Sequence, residues 1–126
     1  MRDIETRTDI EKLMTLFYDK AYANESIGFY FTEVTHLNLA KHLPVIIDFW
    51  ESVLLDNQVY FNNALKAHEH INKMHPFKSE DFNVWVSLFC ESIDELFVGA
   101  IAEKAKQKAV SVSSAMKMIF IQQGNR

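Results

Sequence analysis

Glycine and proline are scarce in this chain, and their scarcity restricts its fold more than any other feature. The 126 residues include three glycines and two prolines. Sandwiches and barrels of many β-strands need frequent tight turns, which these residue types supply. Apolar residues make up 48% of the chain, enough for a packed core, and its length suits one domain. The sequence therefore predicts a single all-α domain over residues 1–126, with an ordered core from about 8 to 122.

Charge and cysteine content exclude several classes of function. The formal charge is −4, so no basic excess neutralises phosphates and no nucleic-acid partner is expected. The lone Cys90 excludes an intrachain disulfide and any cysteine-based zinc or iron–sulfur site. The N-terminus has no apolar signal region, and no apolar run approaches the 18 residues of a membrane span. We therefore predict a cytoplasmic protein without a membrane partner.

Apolar spacing predicts a first helix that begins at Thr8, where Thr8-Asp9-Ile10-Glu11 reads as a capping box. A break follows near Gly28, before a short aromatic connector. The inward residues of this helix recur at helical spacing: Ile10, Leu13, Met14, Phe17, Tyr18 and Ala21.

Four further helices follow the connector. Because proline is tolerated only in a first turn, the second helix should become regular at or just before Pro44, with residues 37–43 irregular, 3₁₀ or kinked. Its apolar stripe is His42, Ile46, Phe49, Trp50 and Val53. The remaining predictions are a short helix from Asn63 to about Asn72, stopped by Pro76; a long helix capped by Ser79 and ended by Gly99; and a last helix over 100–122.

Two histidines stand on apolar helix faces. His42 leads the second helix and His68 lies on the short helix. Such a histidine is more often a core residue with one satisfied nitrogen than a ligand, but two beside the most aromatic region favour haem, whose iron commonly takes an imidazole ligand. The aromatic residues that could line a haem slot are Phe17, Phe29, Phe31, Phe49, Trp50, Trp85 and Phe89.

Tyr18 and Trp85 each have two interpretations. A core tyrosine can extend its hydroxyl to the surface, or the hydroxyl can point at a bound ligand. The Trp85 indole N–H likewise needs a partner if it is buried, and a bound gas would be one.

Other metal and nucleophile sites are weaker predictions. Glu33-Val-Thr-His36 matches one half of a di-iron motif, which requires two copies on inward helical faces. His68 and His70 lie about 200° apart on a helix and cannot share one ion. Cys90 is predicted to be an inert, partly buried thiol, because no base is paired with it.

Several segments resemble the truncated haemoglobins, in particular the third group of that family. The resemblance runs from about residue 8 to 122 and includes the lack of Gly-Gly turns, since the three glycines are scattered. Its most specific segments are Leu16-Phe17-Tyr18, the connector ending in Phe31, His42-Leu43-Pro44, Asp48 to Leu54, Leu65-Lys66-Ala67-His68, Phe82 to Phe89, and Asp94-Glu95-Leu96-Phe97.

This resemblance implies a two-over-two helical sandwich around one b-type haem. His68 then corresponds to the proximal iron ligand, and the Leu65-x-x-His68 spacing favours it over His70. Tyr18 and Trp85 correspond to hydrogen-bond donors to a bound gas, and His42 to a gate. The cofactor-contacting positions are Phe17, Phe31, Ile46, Trp50, Leu65, His68 and Phe89. Candidate propionate partners are Lys41, Lys66, Lys73 and His75.

The resemblance also implies a function. We expect a haem protein that binds dioxygen, nitric oxide or carbon monoxide. Two hydrogen-bond donors should slow oxygen release, which favours nitric oxide dioxygenation or peroxidase-like chemistry with a separate reductase over oxygen delivery. A monomer or weak dimer is expected. The alternative is a haem-free helical interaction or sensor domain that has kept the globin scaffold.

Overall fold

The computed structural model describes residues 1–36, 38–58 and 64–122, without the side chains of 64–67, 70 and 122. The described residues form five α-helices and two π-helical turns and contain no β-strand, which confirms the all-α class. None of the described helices is long and apolar enough to cross a membrane. The helices are α1 (Arg7–Ala23), α2 (Leu39–Leu54), α3 (Ala64–Met74), α4 (Ser79–Leu96) and α5 (Ala100–Lys117); the π-helical turns are Tyr30–Val34 and Met118–Gln122.

Helix α1 buries all six predicted inward residues, but its predicted start is wrong by two residues. The cap is Thr6, whose hydroxyl accepts a hydrogen bond from the Asp9 N–H (3.3 Å) while the Asp9 carboxylate accepts from the Thr6 N–H (3.0 Å). Thr6 and Thr8 are each followed by an acid three residues later. Asp9 is the acid that tertiary contacts hold, because Arg2 also donates to it, so the box forms at Thr6.

Helix α2 begins five residues before Pro44, so the prediction that residues 39–43 are irregular is wrong; residue 37 lies outside the described residues. The Asn38 side chain caps the helix by accepting from the Lys41 N–H (3.3 Å). Proline has no N–H to donate to the carbonyl four residues earlier, which is that of Ala40. The cap and the burial of later turns outweigh that lost bond.

Two apolar faces run along α2. Its fully buried residues are Ile47, Trp50, Glu51 and Leu54, whereas the half-buried ones on the predicted stripe are His42, Ile46, Phe49 and Val53. At about 100° per residue the two sets are centred roughly 120° apart. The helix therefore packs into the core with one face and keeps a second apolar face, which carries His42, only partly covered.

The connector between α3 and α4 is pinned to the first π-helical turn. Helix α3 ends at Met74, two residues later than predicted, and Pro76 follows it. Ser79 is the first helical residue of α4 rather than its cap. The Asp81 carboxylate instead accepts from the Lys78 N–H (2.9 Å), and the same oxygen accepts from the Tyr30 hydroxyl (2.6 Å).

Gly99 begins α5 and does not terminate α4, which ends at Leu96. Its φ of +146° disfavours other residues, and a Cβ atom there would overlap the Asp3 side chain. The Asp3 carboxylate accepts from the Ile101 N–H (2.9 Å) and the Ala102 N–H (2.8 Å), so the start of the chain caps α5. The packed core thus takes in residues before Thr8.

The core lies where α4 packs against both α1 and α5, and α1 packs against α2. Helix α5 contributes small side chains to it, which allow a close approach to α4. The fully buried residues of α5 are Ala102, Ala105, Ala109 and Ser113. Of its predicted inward positions, Ile101, Val112 and Met116 are only half-buried.

Candidate functional site

Four aromatic side chains from three helices form one stack, which we call the aromatic wall. Phe17 comes from α1, Trp50 from α2, and Trp85 and Phe89 from α4. The rings of Trp50 and Phe89 stack with centroids 4.7 Å apart, and those of Trp85 and Phe89 stack at 5.5 Å. Phe17 meets Trp85 and Phe89 edge-on, at 6.1 and 5.5 Å. Four of the seven aromatic residues that were predicted to line the slot are therefore brought together.

A second aromatic group lies beside this wall, where Tyr18 and Tyr22 of α1 meet Phe31 of the π-helical turn. The Tyr18 ring meets Phe17 at 5.1 Å and Phe31 at 5.7 Å, edge-on in both cases. Tyr22 stacks flat on Phe31, with centroids 5.0 Å apart. Tyr18 is 8% exposed, and burial raises the pKa of its hydroxyl well above the usual value. The hydroxyl is therefore a neutral donor, with no hydrogen-bond partner among the described residues.

His42 and His68 stand on different helices, 26 positions apart in the sequence. His42 is half-buried on α2 and His68 is half-buried on α3. Burial lowers the pKa of His42, and the electrostatic influence of His68 lowers it further. Both predicted histidines are therefore neither sealed in the core nor fully exposed.

The His68 imidazole is flanked by a ring from the α3–α4 connector. Phe77 lies 6.3 Å from it between ring centroids, tilted by 46°. Phe77 is itself held by Tyr30 (5.3 Å), Phe82 (5.3 Å) and Phe120 (5.6 Å). This packing restricts the space into which the His68 ring can turn.

Ile46 lies one turn after His42 on the half-buried face of α2. The indole of Trp85 is half-buried, and none of the described residues accepts a hydrogen bond from its N–H. Ile46 therefore shares the half-buried face of α2 with His42, and Trp85 belongs to the aromatic wall.

Three predicted positions lie outside what the structure describes, namely the side chains of Leu65, Lys66 and His70. The backbone of α3 is helical throughout this segment. Positions 68 and 70 are about 200° apart around the axis of such a helix.

The other candidate propionate partners differ in their surroundings. Lys41 and Lys73 are exposed. His75 is half-buried, with its ring edge-on to Phe29 (4.9 Å) and to Tyr30 (5.4 Å). Its Nδ1 atom is buried and has no hydrogen-bond partner in the structure.

The weaker metal and nucleophile candidates are separate from this site. Glu33 and His36 are both exposed. In the part of the chain that the structure describes, no group of three or more His, Cys, Asp or Glu residues could hold a metal ion. Cys90 is half-buried, and burial raises the pKa of its thiol, which disfavours the reactive thiolate.

The sequence analysis did not single out Tyr22. Its hydroxyl is buried without a partner, four residues after Tyr18 on α1. The sequence contains a signal that could have identified it: Tyr22 follows Tyr18 by four positions, and residues four apart share a helix face.

Comparison with known proteins gives one curated relative and one solved structure. No family model matches the chain. It is 27% identical over 118 residues to the group 3 truncated hemoglobin ctb of Campylobacter jejuni, covering 91% of each chain. The crystal structure of a group III truncated hemoglobin from Campylobacter jejuni superposes with a TM-score of 0.84 at 25% identity, covering 98% of each chain. The chain has an all-α globin fold and is similar to the group III truncated haemoglobins in both sequence and structure.

Proposed function

We propose that this chain is a haem protein that binds a diatomic gas, with His68 as the residue that would hold the haem iron. The observation that supports this most is the aromatic wall, in which Trp50 of α2 and Trp85 of α4 both stack on Phe89. Helix α2 also carries His42 on its half-buried apolar face. Haem supplies a ferrous iron that binds dioxygen, nitric oxide or carbon monoxide.

The half-buried apolar residues beside the aromatic wall fit a b-type haem. A planar, mostly apolar group needs flat apolar surroundings and few polar contacts. Trp85, which stacks on Phe89, and the face of α2 that carries Ile46 and Phe49 are half-buried and offer such a surface. The Tyr18 hydroxyl has no hydrogen-bond partner among the described residues, so it is suited to a ligand that accepts a hydrogen bond.

Each residue then has a distinct task. His68 binds through one ring nitrogen, and a hydrogen bond from the other would fix its tautomer. Tyr18 O–H and Trp85 N–H donate to the gas ligand. His42 stands at the half-covered face of α2 and controls entry to the site. Phe31 packs beside Tyr18 and restricts its ring.

Two donors should favour ligands that carry partial negative charge. A hydrogen bond to a charged group contributes about 1.5–3 kcal/mol, which is one to two decades in a dissociation rate. Slow oxygen release suits redox chemistry on oxygen or nitric oxide, with electrons from a separate reductase, better than oxygen delivery.

Titration of the haem-free protein with haemin tests the proposed function. We expect saturation at one haem per chain, a Soret band, and a five-coordinate histidine spectrum after reduction without added ligand. A protein that fails to take up haemin would favour the haem-free interaction or sensor domain instead.

Replacing Tyr18 by phenylalanine is expected to speed oxygen release about 10-fold or more. The change removes one hydroxyl and almost no volume, so packing is preserved. Carbon monoxide release should change less, because that ligand carries less negative charge. Flash photolysis and stopped-flow mixing measure both rates. Equal effects on the two gases would contradict hydrogen bonding and indicate a steric role.

Replacing His42 by leucine is expected to change gas association more than dissociation, because the imidazole stands at the entrance and Tyr18 and Trp85 supply the donors. Ala40→Leu, at an exposed neighbouring position on the same helix, is the control and should leave both rates unchanged. Flash photolysis again gives the rates. A six-coordinate low-spin spectrum of the reduced, ligand-free protein that His42→Leu abolishes would show that His42 is an iron ligand instead.

A further inference from the structure

The Tyr22 hydroxyl is a buried polar group that the proposed function does not use. The oxygen is sealed from solvent and has no hydrogen-bond partner in the structure. Burying an unpaired hydroxyl is costly, and native proteins rarely keep one without a role. A phenylalanine would pack as well against Phe31, so packing alone does not account for the hydroxyl.

The position of Tyr22 points to a partner. It lies one turn after Tyr18, and the two rings meet edge-on with centroids 6.4 Å apart. Phe31 touches both, stacked flat on Tyr22 and edge-on to Tyr18. The electrostatic influence of Tyr22 on Tyr18 adds to the effect of burial in raising the pKa of Tyr18. The two rings therefore lie side by side against Phe31, and the structure has no hydrogen bond between their hydroxyls. One bridging water or a small turn of the side chains would join them.

We propose that Tyr22 is a positioning residue of the gas site, whose hydroxyl donates to the Tyr18 oxygen and leaves the Tyr18 proton directed at the ligand. A tyrosine hydroxyl has one proton and also accepts. If Tyr18 gives its proton to the gas, its oxygen lacks a donor, and Tyr22 has an unused proton. Hydrogen bonds in series strengthen each other, so the Tyr22 bond should make Tyr18 a better donor. This inference rests on the proposed function.

A double-mutant cycle on the haem-loaded protein tests the pairing. Tyr22→Phe is expected to speed oxygen release about 3-fold, less than Tyr18→Phe, because its effect is indirect. In a Tyr18→Phe background, Tyr22→Phe should have almost no effect, because the residue through which it acts is gone. The stretching frequency of bound carbon monoxide should shift in Tyr22→Phe in the same direction as in Tyr18→Phe, and by less.

The matched control is Thr15→Val, which removes an exposed hydroxyl from the same helix and should change neither rate nor frequency. The haem-free protein gives a second readout: Tyr22→Phe should not lower its urea midpoint, because the hydroxyl is unpaired in the structure. A lower midpoint would show that the fold uses this hydroxyl and would overturn the proposal.

The results separate this inference from the proposed function. A normal Soret band with unchanged oxygen release in Tyr22→Phe would overturn the pairing alone. A full 3-fold effect that persists without the Tyr18 hydroxyl would also overturn it, since Tyr22 would then act independently. A wild-type protein without a Soret band would overturn the proposed function, and the pairing with it.

Discussion

His68→Ala is expected to weaken haem binding roughly 100-fold or more and to abolish the five-coordinate histidine spectrum of the reduced protein. The His68 imidazole is the proposed ligand of the iron. Mutating a residue that only hydrogen-bonds to a metal ligand already lowers metal affinity about 10- to 100-fold, so losing the ligand itself should lower haem affinity at least as much. The fold should remain, because His68 is half-buried outside the main core formed by α1, α4 and α5. Transfer of haem to an excess of an apoglobin acceptor measures the loss.

His70→Ala is the matched control, since it removes the same side chain from the same helix about 200° away. His70→Ala should leave the haem affinity and the five-coordinate histidine spectrum unchanged. Added imidazole should restore the spectrum of His68→Ala, because the free ring can occupy the space of the lost one. The opposite result, with His70→Ala losing the histidine spectrum and His68→Ala keeping it, would make His70 the ligand.

Asp9→Ala should lower the free energy of unfolding by about 3 kcal/mol. The Asp9 side chain is 1% exposed and accepts from the N–H groups of Glu5 (2.8 Å) and Thr6 (3.0 Å) and from Arg2 (2.8 Å). Alanine leaves two backbone donors unpaired and removes the capping box of α1. The Arg2 side chain is about half exposed, so most of the loss comes from the backbone bonds. Urea denaturation at pH 7 measures the change.

Lowering the pH should remove the stabilisation that the Asp9 carboxylate gives to the folded state. The hydrogen bond from Arg2, with help from the two backbone donors, holds the pKa of Asp9 well below its usual range. A group whose pKa is lower in the folded state stabilises fully above its unfolded pKa, here about 4, and loses that effect as pH falls toward the folded value. The difference between wild type and Asp9→Ala should therefore shrink from pH 5 to pH 2.

Asp19→Ala is the control for this prediction, because it removes an exposed carboxylate from the same helix. It should change stability by less than about 0.5 kcal/mol at either pH. A loss in Asp9→Ala no larger than in Asp19→Ala would contradict the importance assigned to the Asp9 hydrogen bonds.

Much of the fold could be predicted because helical periodicity is local. All six inward residues of α1 follow from the spacing of apolar side chains, and the break at Gly28 and the stop at Pro76 follow from local chemistry. Capping was harder. Both Thr6 and Thr8 match the capping pattern, and the contact between Arg2 and Asp9 selected Thr6.

The candidate site was predictable residue by residue but not as an arrangement. Tyr18, Trp85 and His42 stand on apolar stripes, and the resemblance to the truncated haemoglobins suggested their roles. Tyr22 follows Tyr18 by four positions, a spacing that is common between inward-facing residues of a helix. Only packing against Phe31 shows that its hydroxyl is sealed without a partner.

The sequence by itself determined the all-α class, the number of helices and the family resemblance, because these depend on residue types and on spacing within one helix. The tertiary structure decided which groups from different helices meet. It stacked Trp50 of α2 on Phe89 of α4, and it placed the Asp3 carboxylate on the N–H groups that begin α5, 98 and 99 residues away. Such encounters depend on how helices pack, and a linear pattern does not record distances between them.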